Sequence, residues 1–140
     1  MENEFRVYFK AKSENEALAR MMIAAFASQY DPTLSDLTDI KTAVSEGVTN
    51  AIIHGYEGKM GEVELYCGYD HGMIHIEIAD RGFGITDIEK AREPLYTSKP
   101  ELERSGMGFT IMEAFMDDFK VVSKAEEGTR IFLKKALRAD

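Results

Sequence analysis

Glu46-Gly47-Val48-Thr49-Asn50-Ala51-Ile52-Ile53-His54 is the stretch on which the fold turns. Val44, Val48, Ala51 and Ile52 continue a helical spacing that starts at Leu37 and Ile40. The spacing predicts an amphipathic helix that opens between Thr33 and Asp36 and is closed by Gly55. Glu46 and Asn50 stand four residues apart, so they share a face beside the apolar stripe, and His54 lies one turn further on. A carboxylate there suits a general base. An amide oxygen suits Mg²⁺, a hard cation that keeps waters and phosphates in its shell. Such a pair taken alone is more often a solvated helix face, so its meaning depends on its neighbours.

Working outward, the N-terminal side begins with Phe5, Val7, Phe9 and Ala11 alternating with Arg6, Tyr8, Lys10 and Lys12, a half-buried strand. Ser13-Glu14-Asn15-Glu16 reads as a capping box. The helix it opens has a stripe of Leu18, Met21, Met22, Ala25, Phe26 and Gln29 and ends at Asp31-Pro32. On the C-terminal side, Glu62 to Cys67 alternates as a strand, Asp70-His71-Gly72 is a hairpin turn, and Ile74, Ile76 and Ile78 mark the next strand. Residues 83–105 read as a short helix, Asp87 to Arg92, and a polar excursion with Pro94 and Pro100. Phe109, Ile111, Met112, Phe115 and Met116 predict a third long helix. Phe119 to Ser123 and Thr129 to Leu133 predict a closing hairpin through Glu127-Gly128. Strand–helix–strand alternation is missing, which excludes a Rossmann pattern. The expected fold is α+β: a two-layer sandwich of a mostly antiparallel sheet with helices on one face, one domain over residues 1–140.

Bulk properties narrow the function. The net charge of −8 argues against a general nucleic-acid binder. Cys67 is the single cysteine, so it has no internal disulfide partner, and it reads as a small buried residue in a reducing compartment. No apolar run approaches the roughly 20 residues of a membrane span, and the first residues lack the basic start of a secretory signal. The expected location is cytoplasmic.

Two further segments carry chemistry. In Asp80-Arg81-Gly82-Phe83-Gly84-Ile85 an aspartate closes a strand. It can accept a hydrogen bond from an exocyclic amine, while Gly82 and Gly84 let the backbone approach a flat base. Ser105-Gly106-Met107-Gly108 opens a helix, whose amides and dipole favour an anion. The Walker spacing and the third glycine of a dinucleotide fingerprint are both absent. Lys99 and Arg104 lie in the polar excursion, placed to reach terminal phosphates if it folds over as a lid. Each segment is weak alone; in this order they describe an adenine-nucleotide site.

These residues resemble the GHKL ATPase superfamily of gyrase B, Hsp90, histidine kinases and MutL. Glu46 to His54 looks like its N box, Asp80 to Gly84 and Gly106 to Gly108 its glycine boxes, and Gly128-Thr129 the late pair whose hydroxyl supports the adenine-binding aspartate. Thr49 to Tyr56 and Lys99 to Glu113 resemble the SpoIIAB-type family of sporulation anti-sigma factors, over about Phe5 to Lys135. The resemblance implies a homodimeric serine protein kinase using ATP and Mg²⁺, with no membrane or direct nucleic-acid partner. Its members hold sigma-F while ATP is bound and phosphorylate the anti-anti-sigma factor SpoIIAA on serine. By position, Glu46 is then the catalytic base and Asn50 the Mg²⁺ ligand. Asp80 contacts adenine with Gly82, Gly84 and Ile85 beside it, and Thr129 supports Asp80. Arg104 reaches the γ-phosphate, and the ATP site also takes in His54, Thr97, Lys99, Ser105, Gly106, Met107, Gly108, Phe109 and Thr110. Arg20 matches a partner-contacting arginine. Gly47 stands where that family usually has Ala, at a helix-propensity cost of about 0.5–1 kcal/mol. The alternatives are a stress-response kinase of the RsbW type, a histidine-kinase ATP domain, and a nucleotide-gated binding module without turnover.

Overall fold

A computed structural model describes residues 1–55, 61–82, 108–124 and 127–137. The elements are β1 (Asn3–Lys10), α1 (Glu14–Ser28), α2 (Leu34–Asn50) with a π-helical turn at Ala51–Gly55, β2 (Glu62–Asp70), β3 (Met73–Asp80), α3 (Gly108–Phe115), β4 (Asp118–Lys124) and β5 (Gly128–Ala136). The strands form one sheet in the order β1-β2-β3-β5-β4, every pairing antiparallel. The short helix expected at Asp87 to Arg92, the polar excursion after it and the glycine-box residues before Gly108 lie outside the described residues.

Alternation along the strands puts Val63, Leu65, Cys67, Ile74, Ile76, Ile78, Ile131 and Leu133 on one face. They form a single core with Ala19, Ile23, Phe26 and Ala27 of α1, Ile40, Ala43, Val44 and Val48 of α2, and Phe109 and Met112 of α3. The helices therefore share one face, as the element order predicts. The opposite face carries Arg6, Glu64, Glu77 and Arg130. Arg130 donates to Glu77 at 2.9 Å and to Glu64 at 3.1 Å, and Arg6 also pairs with Glu64. Burial keeps Cys67 a thiol, outside the range in which it ionises.

The local signals fare unevenly. The β2–β3 turn has His71 at φ 48° and Gly72 at φ 78°, the two positive angles of a two-residue hairpin of right-handed twist. Thr33 has an extended backbone, and its Oγ accepts the Asp36 N–H at 3.0 Å, a side-chain N-cap for α2. Ser13 differs from expectation. Helix α1 does begin after it, but Ser13 is itself in the helical region and its side chain makes no cap bond. Backbone turns from β1 supply the acceptors instead, with Asn15 N–H bonding Lys12 O at 2.9 Å and Glu16 N–H bonding Ser13 O at 3.2 Å.

The stripe of α1 is also rotated from the predicted one. Leu18 and Met21 are 48% and 65% exposed, while Ala19, Ile23, Phe26 and Ala27 are buried. The buried face is turned by about 100°, one residue's step, and includes the small Ala19 and Ala27 of the core. Helix α3 is described over Gly108–Phe115, and the residues before it lie outside the described ones.

Candidate functional site

Glu46 and Asn50 lie on α2, Asn50 as its last residue, separated by about 6 Å of helix rise. The chain then enters the π-helical turn Ala51–Gly55, which includes His54. Two contacts fix where this end of α2 sits. Gly47 packs against Ile78 of β3 and Met112 of α3. The core then holds Val48 and Ala51 over the sheet. Asp80 is two residues beyond Ile78, so Asn50 and Asp80 stand at the same end of the sandwich.

Asp80 is the last residue of β3, paired in register with Thr129, and only 6% exposed. Burial raises its carboxyl pKa to about 6, while the Gly82 and Thr129 backbone N–H groups pull it down. The Gly82 N–H bonds Asp80 Oδ1 at 2.9 Å, so the glycine turn holds the carboxylate in place. The Thr129 hydroxyl lies 2.7 Å from Ser123 Oγ, and its support of Asp80 comes through the backbone rather than the hydroxyl expected from sequence. Ser123 was missed, because its role exists only through the β4–β5 register that faces it to Thr129.

Gly128 has φ 107°, and a Cβ there would run into the Asp80 carbonyl and come within 2.7 Å of Arg81 Cα. Only glycine lets β5 cross so close to the end of β3. A cavity of about 520 Å³ opens beside this crossing, lined by Ala79, Asp80, Arg81, Gly128 and Thr129 together with Tyr8 and Arg130 of the open sheet face.

Gly108, the one described residue of the second glycine box, lies on α3, at the point where the described part of that helix begins. The Phe109 side chain belongs to the core. It is 5% exposed, and its ring packs edge-on against Phe119 at 5.6 Å. Thr110 follows on the same helix, half-buried. The other end of α3 is held by Lys135, whose ammonium donates to the Phe115 carbonyl at 2.8 Å and lies 3.5 Å from Asp39 on α2. A cation at a helix C-terminus complements its dipole.

Arg20 lies on α1, 3.8 Å from Glu16, and both line a groove of about 290 Å³ that reaches Glu46. The fold thus joins Arg20 to Glu46, a link that sequence distance hid. Gly84, Ile85, Thr97, Lys99, Arg104, Ser105, Gly106 and Met107 lie outside the described residues.

Asn50 offers one neutral oxygen at a helix end. Among the described residues the three-ligand cluster that turns up is Glu2, Asp70 and His71, at the β2–β3 hairpin. A single protein oxygen fits Mg²⁺, which takes its remaining shell from phosphates and water. A helix face with carboxylate and amide and a buried aspartate held by a glycine turn are features of an ATP-binding domain of the histidine kinase-like type. Residues 9–135 match the family described as histidine kinase-like ATPase domain.

The chain belongs to the anti-sigma F factors within that family. It is 57% identical over 138 residues to the anti-sigma F factor of Halalkalibacterium halodurans, covering 98% of this chain and 94% of that one. It is 57% identical over 135 residues to that of Clostridium acetobutylicum (96% and 94%) and 56% over 137 residues to that of Geobacillus stearothermophilus (97% and 94%). Its fold resembles the crystal structure of the RsbU and RsbW domains of a Mycobacterium tuberculosis protein, with TM-score 0.70 and 19% identity, over 96% of this chain and 32% of that longer one. No helix among the described residues is long and apolar enough to cross a membrane.

Proposed function

We propose that this chain holds the sporulation sigma factor sigma-F in an ATP- and Mg²⁺-dependent complex. In the same reading it phosphorylates an anti-anti-sigma protein of the SpoIIAA type on serine, as a homodimer in the cytoplasm. The observation that carries the reading is the groove that joins Arg20, the partner-contacting position, to Glu46, the base position. Asn50 would hold Mg²⁺ one turn along α2 from Glu46. The ion would supply charge neutralisation on the transferring phosphoryl group. Asp80 selects adenine through its buried carboxylate, and the amides of the glycine box that runs into α3 would cradle the phosphates. Glu46 orients the serine hydroxyl and takes its proton as the oxygen attacks. Identities of 56–57% to anti-sigma F factors favour sigma-F over a stress-response sigma.

The test is incubation with Mg²⁺-ATP and a SpoIIAA-type protein, followed by phosphosite mapping, with Glu46→Gln alongside. Phosphoserine on the partner, lost in the variant while ATP still binds, supports the reading. Equal phosphorylation by the variant removes Glu46 as the base. ATP binding without transfer by the native protein would leave a nucleotide-gated sigma clamp.

A further inference from the structure

We infer that Ser123 of β4 is a positioning residue for recognition of the base. It draws the hydroxyl proton of Thr129 away from Asp80, so that Thr129 and Asp80 meet the base as two acceptors and select a purine with an amine at C6 over one with a carbonyl there. The inference rests on the ATP-site reading above and gives Ser123 a role within that site.

Placement is the first support. Asp80 of β3 pairs with Thr129 of β5, and Thr129 pairs with Ser123 of β4, so the three form one row across neighbouring strands. The row behind it is Ile78, Ile131 and Val121, paired in the same way, with Ile78 and Ile131 in the core. Side chains two residues apart on a strand share a face. The polar row therefore continues the helix-covered face where its apolar row ends, and cross-strand neighbours in it stand close enough to interact.

Proton counting is the second support. A serine or threonine hydroxyl has one proton to give and can accept twice. Ser123 Oγ donates to the Gly128 carbonyl at 3.2 Å and lies 2.7 Å from Thr129 Oγ1. Both contacts are hydrogen bonds at once only when Thr129 donates in the shorter one. Thr129 is 5% exposed, and a buried hydroxyl keeps such a partner. Its proton then points to β4, and its lone pairs are left to accept.

The bonds on Asp80 are the third support. Among the described residues its carboxylate takes the backbone N–H groups of Gly82 and Thr129, and the Thr129 hydroxyl has no share in them. A hydroxyl proton committed to Ser123 has that result. A 6-amino purine brings donors to the two acceptors. A 6-oxo purine sets its own acceptor against them, and acceptors left unpaired in a buried site are costly, which is discrimination by repulsion.

The experiment measures affinities for Mg²⁺-ATP and for Mg²⁺-ITP, whose hypoxanthine base is a 6-oxo purine. It compares the native chain with Ser123→Ala, Ser123→Cys, Ser123→Thr, Thr129→Val and the double variant of Ser123→Ala with Thr129→Val. Thermal melting and the carbon-13 titration of the Asp80 carboxyl are followed in parallel. Ser123→Ala is expected to narrow the preference for ATP over ITP about tenfold, because the Thr129 proton is then free to turn to Asp80 or to the 6-oxo group. The same freed proton should lower the Asp80 midpoint from about 6. Ser123→Cys, a weak hydrogen-bonding group, should act in the same direction, and Ser123→Thr should keep both native values. With Thr129→Val in place, adding Ser123→Ala should move neither readout further. An unchanged preference or an unmoved midpoint in Ser123→Ala overturns the inference and leaves the ATP site standing. So does an equal loss of ATP and ITP affinity with a lower melting temperature, the mark of a purely structural serine. A native chain that binds ITP as tightly as ATP overturns both the inference and the adenine reading.

Discussion

Gly47 of α2 and Ile78 of β3 meet with no side chain between them. A methyl carbon built on Gly47 would lie 2.5 Å from Ile78 Cδ1 and 3.4 Å from Met112 Sδ. The missing methyl of the helix is replaced by the end of a strand side chain. Because Glu46 precedes Gly47 and Asn50 follows it by three, this contact sets the height of the N-box residues over the sheet.

Gly47→Ala therefore sets two terms against each other. Removing a helix-interior glycine gains about 0.5–1 kcal/mol. Forcing Ile78, 1% exposed, out of its place costs about 1–3 kcal/mol. The expected net is destabilisation of about 1 kcal/mol, measured by urea unfolding. Ile78→Val removes Cδ1, so the double variant should be more stable than the sum of the single changes predicts. Additive single effects would remove the packing explanation of Gly47.

Lys135→Ala tests the clamp on α3. Its ammonium holds the Phe115 carbonyl from a position only 6% exposed. Loss of a charge-assisted bond and the buried stem is expected to cost about 2 kcal/mol. Hydrogen exchange should accelerate in α3 before β2 and β3. Uniform acceleration across the sheet would instead mean that Lys135 acts on global stability alone.

The fold was largely legible because each strand and helix has its own period. Ile74, Ile76 and Ile78 repeat every second residue, and Ile40, Val44 and Val48 every fourth, so both layers and their facing sides follow. The stripe of α1 was misread because Leu18 and Met21 are more hydrophobic than Ala19 and Ala27. A closely packed core rewards small size, which hydrophobicity does not encode. At the site, Glu46, Asn50 and Asp80 stood out as polar residues breaking apolar runs. Ser123 did not, because its place beside Thr129 depends on strand register.

Gly128→Ala should damage the site through the backbone. Its φ of 107° and the Asp80 carbonyl leave no room for a Cβ. Strain and displacement together predict a loss of about 2–4 kcal/mol. Nucleotide affinity should fall further than in Thr129→Ser, which keeps the backbone N–H and the hydroxyl facing Ser123. Titration of a fluorescent ATP analogue measures both, and native affinity in Gly128→Ala would show that the β3–β5 crossing does not position Asp80.

Asp80 should make nucleotide binding depend on pH near 6. Its carboxyl is raised from 3.8 to about 6 by burial, so the folded chain holds this proton more tightly than the unfolded one. Stability from this group is fully present below the unfolded pKa and is lost as pH rises through the folded one, a change on the order of 3 kcal/mol across that window. Adenine acts in the opposite sense, because its amine donates a hydrogen bond and favours the ionised carboxylate. Saturating Mg²⁺-ATP should therefore lower the Asp80 midpoint, and each unit of lowering corresponds to tenfold tighter binding above the titration than below it. Carbon-13 NMR of the Asp80 carboxyl reads this directly: a midpoint near 6 without nucleotide, moving down when nucleotide is added. A midpoint that stays put on saturation would mean that adenine does not meet this carboxylate, and Asp80 would keep only its structural bonds to Gly82 and Thr129.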